Sequence, residues 1–225
     1  MNKILTNYQE ILKQIDLCKN KFQHGYTNPE LIAVSKRFSK EKIQTLLDVG
    51  HRIFGENKVQ EAKSKWMDIR KQNPDKTIEL HLIGPLQSNK VFQAMDVFDV
   101  IQTLDREKIA SKARKYFDEN SFKKNKKFFV QVNIGEEQQK SGVEPSLVNQ
   151  FVKWCTYDLG LNIIGLMCIP PIDKDPNLFF KKIRCLCDEL KLEHASMGMT
   201  SDYFSAIQHG ATFIRVGTGI FGARD

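Results

Sequence analysis

Strict alternation is what most limits the folds open to this chain. Short apolar runs, rich in β-branched and aromatic residues, recur along it, and apolar residues at helical spacing follow most of them. The runs are L-I-A-V at 31–34, R-I-F-G at 52–55, E-L-H-L-I-G at 79–84 and V-F-D-V-I-Q-T at 97–103. They continue as K-F-F-V-Q-V-N at 127–133, L-N-I-I-G-L-M-C-I at 161–169, E-H-A-S at 193–196 and T-F-I-R-V at 212–216. Between them the spacing predicts helices, beginning with one that Ser39 caps and Gly50 ends. A brief helix is expected over 87–95, a longer one from an Asp105 cap to Tyr116, and a last one over 201–209. No hairpin signal separates any two runs, so the strands must be parallel with right-handed crossovers.

Eight such units in 225 residues, 41% of them hydrophobic, fill one closed α/β barrel of the (β/α)8 type. The chain is expected to be a single domain over residues 1–225. Residues 1–25 add a helix before the first strand, with Ile4, Leu5, Tyr8, Ile11, Leu12, Ile15 and Cys18 at helical spacing. In such a barrel the functional face is the C-terminal end of the strands.

Composition narrows the function classes. The start M-N-K-I-L-T-N-Y-Q-E lacks the apolar run of a secretory signal, and no stretch reaches the roughly 18 apolar residues of a membrane span. A cytoplasmic protein without membrane contact is expected. Five cysteines, an odd number with no C-x-x-C pair, suit reduced structural thiols and argue against a metal site. The net charge of +7 is dispersed, and its densest run, Lys123, Lys124, Lys126 and Lys127, accompanies no recognition motif. Nucleic acid is therefore not expected as a partner.

The candidate chemistry begins at Lys36. It follows the first apolar run, where partial desolvation can lower a lysine pKa and free the amine for a Schiff base. After the seventh run comes Ser196-Met197-Gly198-Met199-Thr200-Ser201-Asp202, a glycine among hydroxyl residues before a helix. After the eighth comes Gly217-Thr218-Gly219-Ile220-Phe221-Gly222. This stretch matches G-x-G-x-x-G but lacks the βαβ unit and later acidic residue of a dinucleotide site. These are the two loops on which barrels commonly bind phosphate. An amine and an anion cradle at one barrel mouth describe a cofactor with an aldehyde and a phosphate, which is pyridoxal 5′-phosphate (PLP).

Over nearly its whole length the chain resembles the pyridoxal phosphate homeostasis proteins, also called proline synthetase co-transcribed homologues. These share the fold-type III barrel of the alanine racemase N-terminal domain. The resemblance rests on A-V-S-K at 33–36, F-G-E-N at 54–57, H-L-I-G-P-L-Q-S-N-K at 81–90 and K-S-G at 140–142. It continues through G-L-M-C-I-P at 165–170, S-M-G-M-T-S-D at 196–202 and R-V-G-T-G-I-F-G-A-R at 215–224.

The resemblance implies a Schiff base on Lys36, a phosphate held by Ser196, Gly217 and Thr218 with Gly198 and Thr200 in the same loops, and Arg215 facing the pyridine nitrogen. Thr200 stands where many relatives have serine. Asn57 and His81 are implied as pocket residues, although the alternating pattern around His81 also suits a hydrogen-bonded wall histidine. Lys140 is a further family-matching lysine. The implied role is intracellular PLP homeostasis without substrate turnover, by a monomer supplying or buffering the cofactor for PLP-dependent apo-enzymes. An amino-acid racemase of the same fold is the alternative. It would need an opposing acid, for which Tyr203 is the candidate, and a second domain. A basic binding module is the third reading.

Overall fold

The computed structural model describes residues 2–22, 25–26, 28–120 and 126–223. Helix α1 (Lys3–Lys21) precedes β1 (Glu30–Val34), α2 (Lys40–Asp48), β2 (Ile53–Glu56), α3 (Val59–Gln72) and β3 (Glu79–Leu82). A 3-10 turn (Ser88–Lys90) leads to α4 (Val91–Val97), β4 (Val100–Leu104), α5 (Glu107–Glu119) and β5 (Lys127–Val132). Then follow α6 (Val148–Lys153), β6 (Ile163–Cys168), α7 (Pro176–Glu189), β7 (His194–Met199), α8 (Tyr203–Gln208), β8 (Phe213–Val216) and α9 (Thr218–Phe221). The strands pair in parallel in chain order, and β1 also pairs with β8, which closes the barrel.

The alternation expected from the sequence is therefore the architecture, and several boundaries shift. Strand β7 runs on past Ser196, where the sequence suggested it ends, through Gly198 to Met199. Its ladders pair Ser196 with both β6 and β8 and Met199 with β8, with an irregularity between the two. The 87–95 segment divides into the 3-10 turn and α4. Helix α5 is capped by Arg106 in place of Asp105, whose carboxylate pairs with Arg106 at 2.6 Å. Of the lysine-rich run, Lys123 and Lys124 lie outside the described residues, as does Arg224 of the last motif.

Two apolar layers carry the fold. The larger fills the space between strands and helices and includes Leu46, Trp66, Ile101, Phe128 and Ile183, all nearly free of solvent. Each such side chain contributes about 1.5–3 kcal/mol on burial. The smaller lies inside the barrel, where Ile32, Val100, Phe129, Met167 and Phe213 fill its lower part. Above them the interior turns polar, with Gln102, Ser196 and Arg215 buried.

Helix α1 packs against α9, α8 and α2. It is fixed by Asn7, whose Nδ2 donates to the Ile220 carbonyl at 3.1 Å, and by Tyr8, whose hydroxyl lies 3.2 Å from His51 Nδ1. His51 Nε2 bonds the Ile53 carbonyl at 2.7 Å, which makes Nε2 the protonated nitrogen of a neutral ring. Burial pushes the His51 pKa down to about 4 from 6.5. With the folded value below the unfolded one, acid favours the unfolded chain. Stability is whole above pH 6.5 and falls as pH drops toward 4, by about 3 kcal/mol. Urea unfolding followed across this window checks the sign: His51→Gln should flatten the slope, and an unchanged slope assigns it to other groups.

Candidate functional site

The turn after β1 is tied down from three sides. Its middle residues are Lys36, half-buried, and Arg37, in a left-handed conformation at φ 64° that only a firmly held turn imposes on a non-glycine residue. The buried ammonium of Lys65, on α3, donates to the Ser35 carbonyl at 2.9 Å and lies 3.5 Å from the Phe38 carbonyl. Its charge is met by Glu56 at 2.7 Å and Glu61 at 3.4 Å. Glu61 in turn accepts from the Arg37 amide at 2.6 Å. Glu56, with no solvent exposure, accepts from Ser35 Oγ at 2.6 Å and from Trp66 Nε1 at 3.1 Å on the same oxygen. Sequence reasoning gave neither Glu56 nor Lys65 a role.

Beside this turn a cavity of about 430 Å³ opens at the C-terminal end of the strands. Val34, Lys36, Asn57 and Ile83 line it from β1 to β3, and Ile169 follows β6. Met199, Thr200, Ser201, Arg215, Gly217 and Thr218 complete it from β7 and β8. The structure thus brings together Lys36, Asn57, Thr200, Arg215, Gly217 and Thr218 of the expected set, and adds Ser201. The S-M-G-M-T-S-D motif held that serine all along, but the reading stopped one hydroxyl short.

His81, Ser196 and Gly198 do not line the cavity. His81 and Ser196 are fully buried in the barrel interior. There Ser196 Oγ accepts from Arg215 Nη1 at 2.7 Å and donates to Gln102 at 2.7 Å. Gly198 serves packing: at φ +88° a Cβ would stand 2.5 Å from the Ala206 Cβ, so glycine is what lets α8 lie on β7. Lys140 pairs with Glu137 at 2.5 Å and is likewise outside the lining. Tyr203 sits half-buried on α8 against the outer core, away from the cavity.

The chemistry of the lining is specific. Among the described residues, its ionisable side chains are Lys36 and Arg215, both cations. Arg215 is 4% exposed and donates through Nη2 to the Cys168 carbonyl at 2.8 Å, and burial draws its pKa below the ordinary guanidinium value. Burial also pushes the Cys168 thiol up to about 12, which keeps it a protonated wall group. Thr200, Ser201 and Thr218 supply hydroxyls, and the first amides of α9 have no intrahelical carbonyl to bond. Asn57 Oδ1 is buried without a hydrogen-bond partner among the described residues. Helices α8 and α9 span six and four residues, so anion attraction here comes from local hydroxyl and N–H donors more than from a helix dipole. An amine, a donor cradle, a buried guanidinium and a spare acceptor fit a phosphorylated aldehyde with a ring nitrogen.

Comparison with known proteins agrees with this reading of the residues. Residues 7–225 match the family described as alanine racemase, N-terminal domain. The pyridoxal phosphate homeostasis protein of Aquifex aeolicus is 34% identical over 225 residues, 95% of each chain. PipY of Synechococcus elongatus, solved with PLP bound, is 30% identical with a TM-score of 0.78 over 92% of this chain and all of its own. Alanine racemase of Bartonella henselae, at 13% identity, shares the fold with a TM-score of 0.74 over 99% of this chain and 59% of its own. The chain belongs to the alanine racemase N-terminal domain family and, within it, to the pyridoxal phosphate homeostasis proteins.

Proposed function

We propose that this protein binds PLP on Lys36 and serves PLP homeostasis, holding and releasing the cofactor without turning over a substrate. The observation that carries this is the cavity itself, which gathers one amine, a donor cradle and a buried guanidinium. When bound, PLP supplies an aldehyde that condenses with the Lys36 amine with loss of water. The chain's residues do the rest. Thr200, Ser201, Gly217 and Thr218 hold the phosphate by hydroxyl and backbone donors, and Asn57 offers its spare oxygen to a ring hydroxyl. Arg215, which lines the cavity, would face the ring nitrogen and oppose its protonation, weakening the ring as an electron sink. Ser196, Gly198 and His81 support this set from the wall.

A racemase needs acid and base on both faces of the substrate, and the lining offers no carboxylate, histidine or tyrosine among the described residues. Tyr203, the candidate acid, lies elsewhere. The reading extends to a single-domain monomer in the cytoplasm that hands PLP to apo-enzymes. Support comes from the family relation and from the absence, among the described residues, of a helix long and apolar enough to cross a membrane.

The test is to load the purified protein with PLP, reduce with borohydride and map the modified peptide. One cofactor per chain on Lys36 is expected. Absence of uptake, or modification spread over surface lysines, would overturn the reading.

A further inference from the structure

A buried hydrogen-bonded row runs from the cavity down the barrel interior. Arg215 Nη1 donates to Ser196 Oγ at 2.7 Å, and Ser196 Oγ donates to Gln102 Oε1 at 2.7 Å. Gln102 Nε2 lies 2.8 Å from His81 Nδ1, and His81 Nε2 lies 2.8 Å from Glu79 Oε1. At the barrel floor Glu79 Oε2 accepts from Lys127 Nζ at 2.9 Å. Gln102, His81 and Ser196 have no solvent exposure.

The Ser196-to-Gln102 bond sets the direction of the links beyond it. A guanidinium only donates and a carboxylate only accepts. Ser196, accepting from Arg215, spends its one proton on Gln102 Oε1, so the amide must present Nε2–H to His81. His81 therefore accepts at Nδ1 and donates at Nε2 to Glu79, as the neutral Nε2–H tautomer. The middle of the row lies in an interior closed to solvent, where every donor needs an acceptor within the protein. The two acceptors seen at Arg215 are the neutral Ser196 hydroxyl and Cys168 carbonyl, and the anion that ends its row is Glu79, with three side chains between them. In such a row each bond polarises the next.

We propose that Gln102 and His81 are positioning residues for Arg215: the row anchored on Glu79 fixes the plane of the guanidinium that faces the cofactor cavity. This rests on the reading of Arg215 as the partner of the cofactor's ring nitrogen. It gives Ser196 a task other than phosphate binding, since its proton and an acceptor lone pair are both committed inward. It also accounts for four polar residues in strand interiors where barrels ordinarily stack aliphatic layers.

The full chain loaded with PLP tests it, with the position of the visible absorption band and its pH midpoint as readouts that a purely structural role would not move. Gln102→Leu should still load on Lys36, bind PLP about tenfold more weakly, and shift the pH midpoint upward by about one unit. A loosened guanidinium opposes ring protonation less. Glu79→Gln removes the anchor's charge at the floor, where Lys127 of β5, Glu30 of β1 and His194 of β7 are the charged or titratable groups acting on it. It should shift the midpoint the same way by less, and it decides the matter if Gln102→Leu does not fold, because the Glu79 side chain is 29% exposed. Variants that fold, load and titrate like wild type overturn the positioning role. Arg215→Lys separates the two levels. If it moves the band while Gln102→Leu and Glu79→Gln do not, the row fails and the ring-nitrogen reading stands. If it too leaves the band unmoved, that reading fails and the row's task with it.

Discussion

Replacing Lys36 with alanine is expected to abolish borohydride-fixed PLP entirely and to lower affinity by roughly 100-fold, about 3 kcal/mol. Residual binding is expected because Thr200, Ser201, Thr218 and Arg215 all remain in the cavity. The cofactor should then show the absorption of the free aldehyde and leave on gel filtration. Lys36→Ala leaves in place the bonds made to the turn through the backbone of Ser35, Arg37 and Phe38 and the Ser35 hydroxyl. Unfolding midpoints of the cofactor-free proteins should agree closely. Undiminished covalent loading of the variant would move the attachment to another lysine and detach the cavity from the chemistry.

The largest loss of stability is expected from Lys65→Ala. Lys65 neutralises Glu56, which is fully buried, and its ammonium carries two carbonyls of the turn. Removing it leaves a carboxylate buried without its counter-charge, at about 3–5 kcal/mol. In a chain of this size that corresponds to a fall in Tm of roughly 10 °C. The double variant Glu56→Gln with Lys65→Met should recover about half. An amide oxygen still accepts from Ser35 and Trp66, and no unpaired charge remains, whereas an apolar residue at 56 would strand both donors. Thermal unfolding of the three proteins gives the comparison. A loss under about 1 kcal/mol for Lys65→Ala would mean that water or a side-chain shift reaches Glu56, and that the turn does not depend on the pair.

The barrel was legible because period-2 apolar runs and period-3.6 helices are local signals, and their alternation leaves few topologies. Lys36, Thr218 and Gly217 were legible by position, each at the C-terminal end of a strand. The extension of β7 was not, since S-M-G-M resembles a loop in isolation and joins the strand only through the pairing of Ser196 with β6 and β8 and of Met199 with β8. That shift moved Ser196 and Gly198 out of the cavity and left the mouth to Thr200 and Ser201. Lys65 left a trace that went unused: Ala62, Lys65 and Ile69 share a helix face, so a lysine stands where an inward residue belongs. Gln102 and His81 left a similar one, polar residues in the middle of strands. Which partners satisfy them depends on contacts far apart in sequence, such as Ser196 to Gln102 across 94 positions.

The packing of α1 bears on the order in which the molecule comes into being. This helix is made before every other element described above, yet the surfaces it rests on include α8 and α9, and its bond from Asn7 to Ile220 spans 213 residues. Strand β1 likewise waits for β8 before the ring is complete. Contacts of such sequence separation form late and slowly. The nascent chain thus carries Lys36 from early on but has no donor cradle beside it until β8 and the turn after it have been made. On the proposed role of Lys36, capture of the aldehyde would wait until the last strand of the ring has been made.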